Sequence, residues 1–313
     1  MTQPEIICAG EVLIDLISTD YADSFSAAES YQRFPGGSPA NVAMNLALLG
    51  RRPAMVASVG ADAAGDVLLD SLRKRGVNVS GVVRCDLPTT LILVTRSRAV
   101  SAFEAYRAAD TQILPAQFAN ISLTGCRVFH TTAFALSREP ARSTLLAIAA
   151  RVVAGGGRLS IDANYAAKIW PDGREARRVI EGYLALGTTG RHGTLAKFSD
   201  VDFERLYGRP VEDPEEVVRF LLHRGAGVAC LTLGERGAYY SNGGAVGHLP
   251  VRPVEVRDTT GAGDAFWSGF LAGYLMDKPW AECARLARAV AERKLAVVGP
   301  LADLPDPEEL LAD

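Results

Sequence analysis

Cysteine is scarce in this chain, and the little there is forms no pattern. Five cysteines in 313 residues (Cys8, Cys85, Cys126, Cys230, Cys283), none in a CxxC pair, are too scattered and odd in number for a complete disulfide framework, so a reducing cytoplasm is the expected setting. Four histidines without an HExxH or a Cys/His cluster provide no zinc site. No stretch reaches the roughly 18 apolar residues of a membrane span. The start, MTQPEIICAGEV, lacks the basic region, apolar block and cleavage site of a secretory leader, so neither insertion nor export is expected. Excess positive charge is missing too. With 33 basic against 36 acidic residues, a net charge of -3 and no basic run, nucleic acid is not an expected partner. The dipeptide Gly-Lys never occurs, nor do HRD or DFG, which removes the P-loop and protein-kinase readings.

What remains is ample for a folded core, at 48% hydrophobic and 22% charged residues. Apolar runs bounded by turn residues (IICAGEVLIDLI, CRVFHTTAF, RLSIDAN, GVACLTLG) alternate with amphipathic stretches such as LLDSLRKRG and STLLAIAARVVAGGG. That alternation predicts an α/β fold with a largely parallel sheet covered by helices on both faces. With no internal repeat or linker, one domain over residues 1–313 is expected. Two segments, approximately 12–35 and 87–108, break the rhythm as short strands without intervening helices. They suit a small attached β-sheet, either a lid that excludes water from a reaction or an ordinary surface hairpin.

Two glycine-bearing helix starts stand out. In GGSPANVAMNLALLG, Ser38 suits the N-cap, Pro39 the first helical position and Gly50 the stop, while Gly36 and Gly37 let backbone come close to that helix end. In DTTGAGDAFWSGFLAGYL, Gly261, Ala262 and Gly263 precede apolar Phe266, Phe270 and Leu271. A helix beginning near Gly263 would present unpartnered amides and the positive end of its dipole to an anion. Asp264 in that first turn is ordinarily a dipole partner; beside an anion nest, its carboxylate has the chemistry to take a proton from a hydroxyl while the nest stabilises a transferred group. GAGDAF carries only two glycines of a GxGxxG pattern and lies late in the chain, so a dinucleotide oxidoreductase has weak support.

The segments GGSPANVAMNLALLG, VGADAAGDVLL, DANYAAKIW, LTLGERGAYY and DTTGAGDAF resemble, in order and spacing, the ribokinase-like (phosphofructokinase-B type) carbohydrate kinases, and the resemblance covers nearly the whole chain. It implies a Rossmann-like domain with a small β lid and ATP-dependent phosphorylation of a sugar hydroxyl. The N-terminal segments look most like fructokinases, which implies fructose or a related keto-sugar; 2-keto-3-deoxygluconate, ribose or a nucleoside are alternative acceptors, because loops decide specificity. A different class, a non-catalytic sugar- or nucleotide-binding regulator of the same fold, is the competing reading.

Carried over position by position, the resemblance makes Asp264 the base and Gly261, Ala262 and Gly263 the anion hole. Substrate-binding positions are Asp15, Gly37, Asn41, Phe103 and Arg107, with Tyr106 beside them and Asp264 facing the reacting hydroxyl. Asp15 is notable on its own, a charge inside the apolar run EVLIDLIS. ATP-binding positions are Lys197, Ser199, Thr232, Gly234, Gly237, Gly261 and Gly263, although a tight turn alone accounts for Gly237. Asp258 and Thr260 match ligands of a monovalent cation, potassium in many relatives. Mg2+ is expected with ATP, with Asp202 acting on it through water. Three departures stand out: Ala166 replaces the usual arginine, with Lys168 as its nearest substitute; Ser199 and Asp202 stand in for an NxxE pair; and Arg288 aligns with an asparagine near the adenine. A homodimer through the exposed lid edge completes the expectation.

Overall fold

The run IICAGEVLIDLI, continuous in sequence, is divided between two sheets. The computed structural model describes residues 3–22, 24–97, 102–190 and 192–312; residues 23 and 98–101, inside the two expected lid segments, lie outside these. In chain order the strands are β1 (Ile6–Ala9), β2 (Leu13–Ser18), β3 (Tyr31–Gly36), β4 (Pro53–Gly60), β5 (Asn78–Cys85), β6 (Leu91–Thr95), β7 (Ala102–Tyr106), β8 (Val128–Thr132), β9 (Arg158–Asp162), β10 (Thr194–Ser199), β11 (Ala226–Thr232), β12 (Ala238–Ser241) and β13 (Gly247–Leu249). The large sheet has the order β13-β12-β11-β10-β9-β8-β1-β4-β5, and the small one β3-β2-β6-β7. From β11 through β5 every pairing in the large sheet is parallel, with β12 and β13 added antiparallel at one edge.

The helices are α1 (Ser38–Leu48), α2 (Ala63–Lys74), α3 (Ala141–Ala154), α4 (Gly173–Thr188), α5 (Asp200–Tyr207), α6 (Pro214–His223), α7 (Ala262–Leu275), α8 (Trp280–Leu295) and α9 (Pro307–Ala312). They cover both faces, so central strands have no solvent side: all eight residues of β4 are buried. Alternate residues of β1 enter opposite cores. Ile7 packs with Leu145, Ile180 and Tyr183, whereas Ile6 and Cys8 pack with Leu46, Leu72, Phe270 and Leu286. The α7 helix is buried continuously from Ala265 through Gly273, packed against α1 and α8. Each large side chain so buried is worth about 1.5–3 kcal/mol, which anchors the start of α7 firmly.

Both expected lid segments contribute to the small sheet, β2 and β3 from the first and β6 and β7 from the second. Its register sets Asp15 opposite Phe34 and Ile92. The large sheet's register places Thr132, Asp162 and Lys197 in one row across the C-terminal ends of β8, β9 and β10. Crevices outside the carboxyl ends of parallel strands are where open α/β sheets take ligands, especially where strand order reverses, here between β1 and β8. At that point Thr132 Oγ1 donates to Glu11 Oε2 at 2.9 Å, and burial pushes the Glu11 carboxyl up to about 8.

Candidate active site

The start of α7 is built as the sequence suggested, one residue earlier. Gly261 is the N-cap with φ of 76°, a left-handed conformation natural to glycine, and the helix begins at Ala262. No side chain caps it; the Ala262 amide donates to the Thr259 carbonyl at 3.1 Å and the Ala265 amide to the Gly261 carbonyl, which leaves the amides of Gly263 and Asp264 for an anion. A Cβ on Gly263 would lie 2.9 Å from Lys197 Nζ; the bare glycine lets that ammonium approach the nest.

Asp264 is held from across the fold. Ser38 Oγ donates to its Oδ1 at 2.6 Å and Asn41 Nδ2 to its Oδ2 at 2.8 Å. The helix carrying these donors has Gly37 as its N-cap, with φ of 99°, rather than Ser38. This corrects the expected cap: Ser38 sits in the first turn and spends its hydroxyl on Asp264. Farther along, Asn45 Nδ2 meets Ser268 Oγ at 3.4 Å, and Ser268 donates to the Asp264 carbonyl. Ser38, Asn41 and Asn45 fall on one helical face, as do Asp264 and Ser268, so two polar seams meet within an otherwise apolar contact. Burial raises the Asp264 carboxyl, opposed by the Ser38 and Asn41 bonds and then by the charges of Lys197 and Lys294.

Lys197 is the ammonium nearest the nest. It is only 5% exposed, and its Nζ lies 3.0 and 2.9 Å from the two oxygens of Asp162, its register partner on β9. Burial would lower its pKa, yet Asp162 and Asp202 hold it above the ordinary lysine value. Asp162 was missed in the sequence. Its signal was the one noted for Asp15, a carboxylate closing an apolar run, here RLSID.

Two pockets flank the nest. One, of about 40 Å³, is lined by the polar side chains of Asp15, Asn41, Asn45, Asp258 and Lys294, by Gly261, and by Phe34 and Ile17. The Asp15 side chain makes no hydrogen bond to the described residues, and burial followed by the charge of Asp264 pushes its carboxyl up to about 7. The other is an open, largely apolar cleft of about 530 Å³, lined by Thr232, Gly234, Gly237, Val251, Ala262, Gly263, Phe266 and Arg288. Gly261 thus faces one pocket while Ala262 and Gly263 face the other.

Other expected positions are placed differently. Arg107 does not project freely from the lid: its Nε and Nη2 bond Asp110 Oδ2 at 2.9 and 2.6 Å, Nη1 bonds Ser137, and its guanidinium lies over the Phe134 ring. Phe103 is half-buried against the core and Tyr106 is exposed. Lys168, the expected stand-in for the arginine missing at Ala166, is instead bound by Glu104 and the Phe103 carbonyl of the lid. Ser199 and Asp202 form the capping box of α5; Asp202 Oδ2 accepts from Ser199 and Oδ1 from the Tyr165 amide. Arg288 donates to the Pro250 carbonyl and pairs with Glu292 at the rim of the apolar cleft. Asp258 accepts from the Thr260 amide at 2.9 Å with Oδ1 and from Lys294 Nζ at 3.4 Å with Oδ2.

Several known proteins are similar to this chain along most of its length. An "ATP-dependent 6-phosphofructokinase" of Thermoanaerobacterium thermosaccharolyticum is 35% identical, over 96% of this chain and 91% of the relative. Fructokinase-1 of Oryza sativa subsp. japonica is 33% identical over 98% of this chain and 96% of its own. The solved fructokinase of Halothermothrix orenii superposes with a TM-score of 0.77 at 32% identity, covering 94% of this chain and 98% of that one. Residues 3–307 match the pfkB family of carbohydrate kinases, and the chain belongs to that family.

Proposed function

We propose that this ATP-dependent sugar kinase phosphorylates fructose, with Asp264 taking the proton of the accepting hydroxyl. The observation that carries the reading is the nest between two pockets: Gly261 lines the polar one and Gly263 the apolar one, with the Asp264 carboxylate beside them. Such an arrangement brings an acceptor and a nucleotide to opposite sides of one set of anion-stabilising amides, and positioning plus electrostatics is most of what phosphoryl transfer requires.

The chemistry divides among the chain's own residues. The Ser38 and Asn41 bonds fix Asp264 in one orientation. The α7 amides and the Lys197 ammonium face charge developing on the transferred group. Thr232, Gly234 and Gly237 at the end of β11 border the cleft suited to the nucleoside. Mg2+ would enter with ATP, held by its phosphates and water. The lid strand β2 brings Asp15 over the polar pocket, where an unpartnered carboxylate suits sugar hydroxyls. A homodimer paired through the open lid edge, β3 or β7, fits the strand order.

A neutral ketose is favoured over its phosphate. Of the two cations lining the polar pocket, Lys294 is paired with Asp258 while Arg75 gives one N–H to the neutral Leu301 carbonyl, and Asp15 opposes a second anion. The phosphofructokinase relative makes fructose 6-phosphate the second reading. Turnover measured with ATP and each of fructose, fructose 6-phosphate, 2-keto-3-deoxygluconate and ribose separates them; a higher kcat/KM for fructose 6-phosphate than for fructose would reject the neutral-sugar assignment. No turnover on any acceptor would favour a binding regulator.

A further inference from the structure

We propose that the Lys294 ammonium is a tethered monovalent cation, a positioning group that holds the Asp258–Gly261 loop in place, so that the kinase runs without added potassium. The proposal deepens the phosphotransfer reading of the nest and rests on it.

Lys294 stands where the core pattern of α8 calls for an apolar side chain. Cys283, Ala287 and Val290 precede it at helical spacing, all buried, and Lys294 itself is 5% exposed. Its ammonium reaches Asp258 Oδ2 at 3.4 Å and the Val297 carbonyl at 3.2 Å. Asp258 Oδ2 also takes the Gly299 amide at 3.4 Å, and the Arg257 amide bonds the Leu295 carbonyl at 2.8 Å. One positive charge therefore joins the segment before the nest to the segment after α8. The Lys294 stem passes directly beneath the nest, with Cε 3.6 Å from where a Cβ on Gly261 would be.

Stability alone does not account for a lysine here, because well-packed apolar residues commonly serve as well as a buried ion pair. A carboxylate and a carbonyl oxygen around a single positive charge are instead the surroundings of a hard cation, and an ammonium is close to potassium in size. Both Asp258 oxygens are already engaged by Thr260, Lys294 and Gly299. Lys294 Nζ stands between Asp258 Oδ2 and the Val297 carbonyl, so a potassium ion sharing those two oxygens would have to displace it. Because Gly261 begins α7 in a left-handed conformation, a shift of this loop re-aims the amides that face the transferred group.

The test compares the full-length protein in tetramethylammonium chloride and in KCl at equal ionic strength, reading both thermal unfolding and turnover. The wild type is expected to show the same Tm and kcat in the two salts. Lys294→Ala, in tetramethylammonium, should lose about a hundredfold in kcat, the scale of an ångström-sized misplacement at a reacting centre. KCl or methylammonium chloride should then restore both its Tm and its kcat, a rescue that a merely structural lysine would not show. If Lys294→Ala does not fold, Lys294→Met, which keeps the stem's bulk, takes its place. A wild type whose Tm or kcat rises with KCl, or a Lys294 variant indifferent to either cation, overturns the proposal. Absence of sugar turnover in the wild type would sink the kinase reading instead, and the Tm comparison would still decide Lys294.

Discussion

Asn41 Nδ2 donates to Asp264 Oδ2 at 2.8 Å, a bond between residues 223 positions apart. With Ser38 on the other oxygen, it joins the two glycine-rich helix starts into one device. The first helix fixes the base and the second carries both the base and the anion nest. Neither start is a site alone, which is why the pair is informative when found at opposite ends of one chain.

Removing the base tests the arrangement most directly. Asp264→Asn should lower kcat by roughly a hundred- to ten-thousand-fold, the range for loss of a general base, with the fold retained because the amide can still meet Asn41 and Ser38. Steady-state kinetics on a variant with unchanged circular dichroism would settle it. Near-normal turnover would remove Asp264 from the mechanism.

Ser38→Ala asks what the holding bonds do. The Ser38 hydroxyl favours the charged form of Asp264 against burial, so its loss should raise the carboxyl further. The acidic limb of the kcat profile then moves to higher pH, and kcat near neutrality falls. A profile that merely scales down without moving would make Ser38 a packing contact only.

Asp15 couples recognition to stability. Its carboxyl titrates near 7 in the folded chain and at about 4 when unfolded. The folded state therefore binds its proton more tightly, and folding stability falls as pH rises between those values. Asp15→Asn should raise Tm more at pH 8 than at pH 4 while weakening sugar binding, seen as a higher KM. An unchanged KM would place Asp15 outside the sugar pocket, and an equal Tm gain at both pH values would mean its charge is not what burial opposes.

The parallel sheet, the added small sheet and the α7 nest were legible because each rests on local pattern: apolar runs between helices, strands without helices, small residues before a helix. The division of IICAGEVLIDLI was not, although Gly10 and Glu11 stand at the break between β1 and β2, because a glycine inside a strand pattern marks a bulge as readily as a change of sheet. Ser38 shows a subtler limit. A serine before Pro39 reads as a cap, but the left-handed Gly37 supplies the turn and a tertiary partner claims the hydroxyl. The partners of Lys168 and Arg107, Glu104 and Asp110, were not legible because they depend on how the small sheet packs. Lys197 was expected at the ATP site by resemblance alone, and only strand register discloses its buried partner Asp162.

That register yields a sharper experiment on Lys197 and Asp162. Breaking a buried pair by removing one member leaves the other charge uncompensated and typically costs about 3–5 kcal/mol. Lys197→Met should therefore lower the denaturation midpoint strongly, since both side chains are almost fully buried. Combining it with Asp162→Asn removes the stranded carboxylate and should recover much of that loss. Turnover should not recover, because the ammonium beside Gly263 is still missing. A double variant that regains both stability and kcat would show that Lys197 serves the fold alone, whereas recovery of stability without activity assigns its charge to the transferred phosphoryl group.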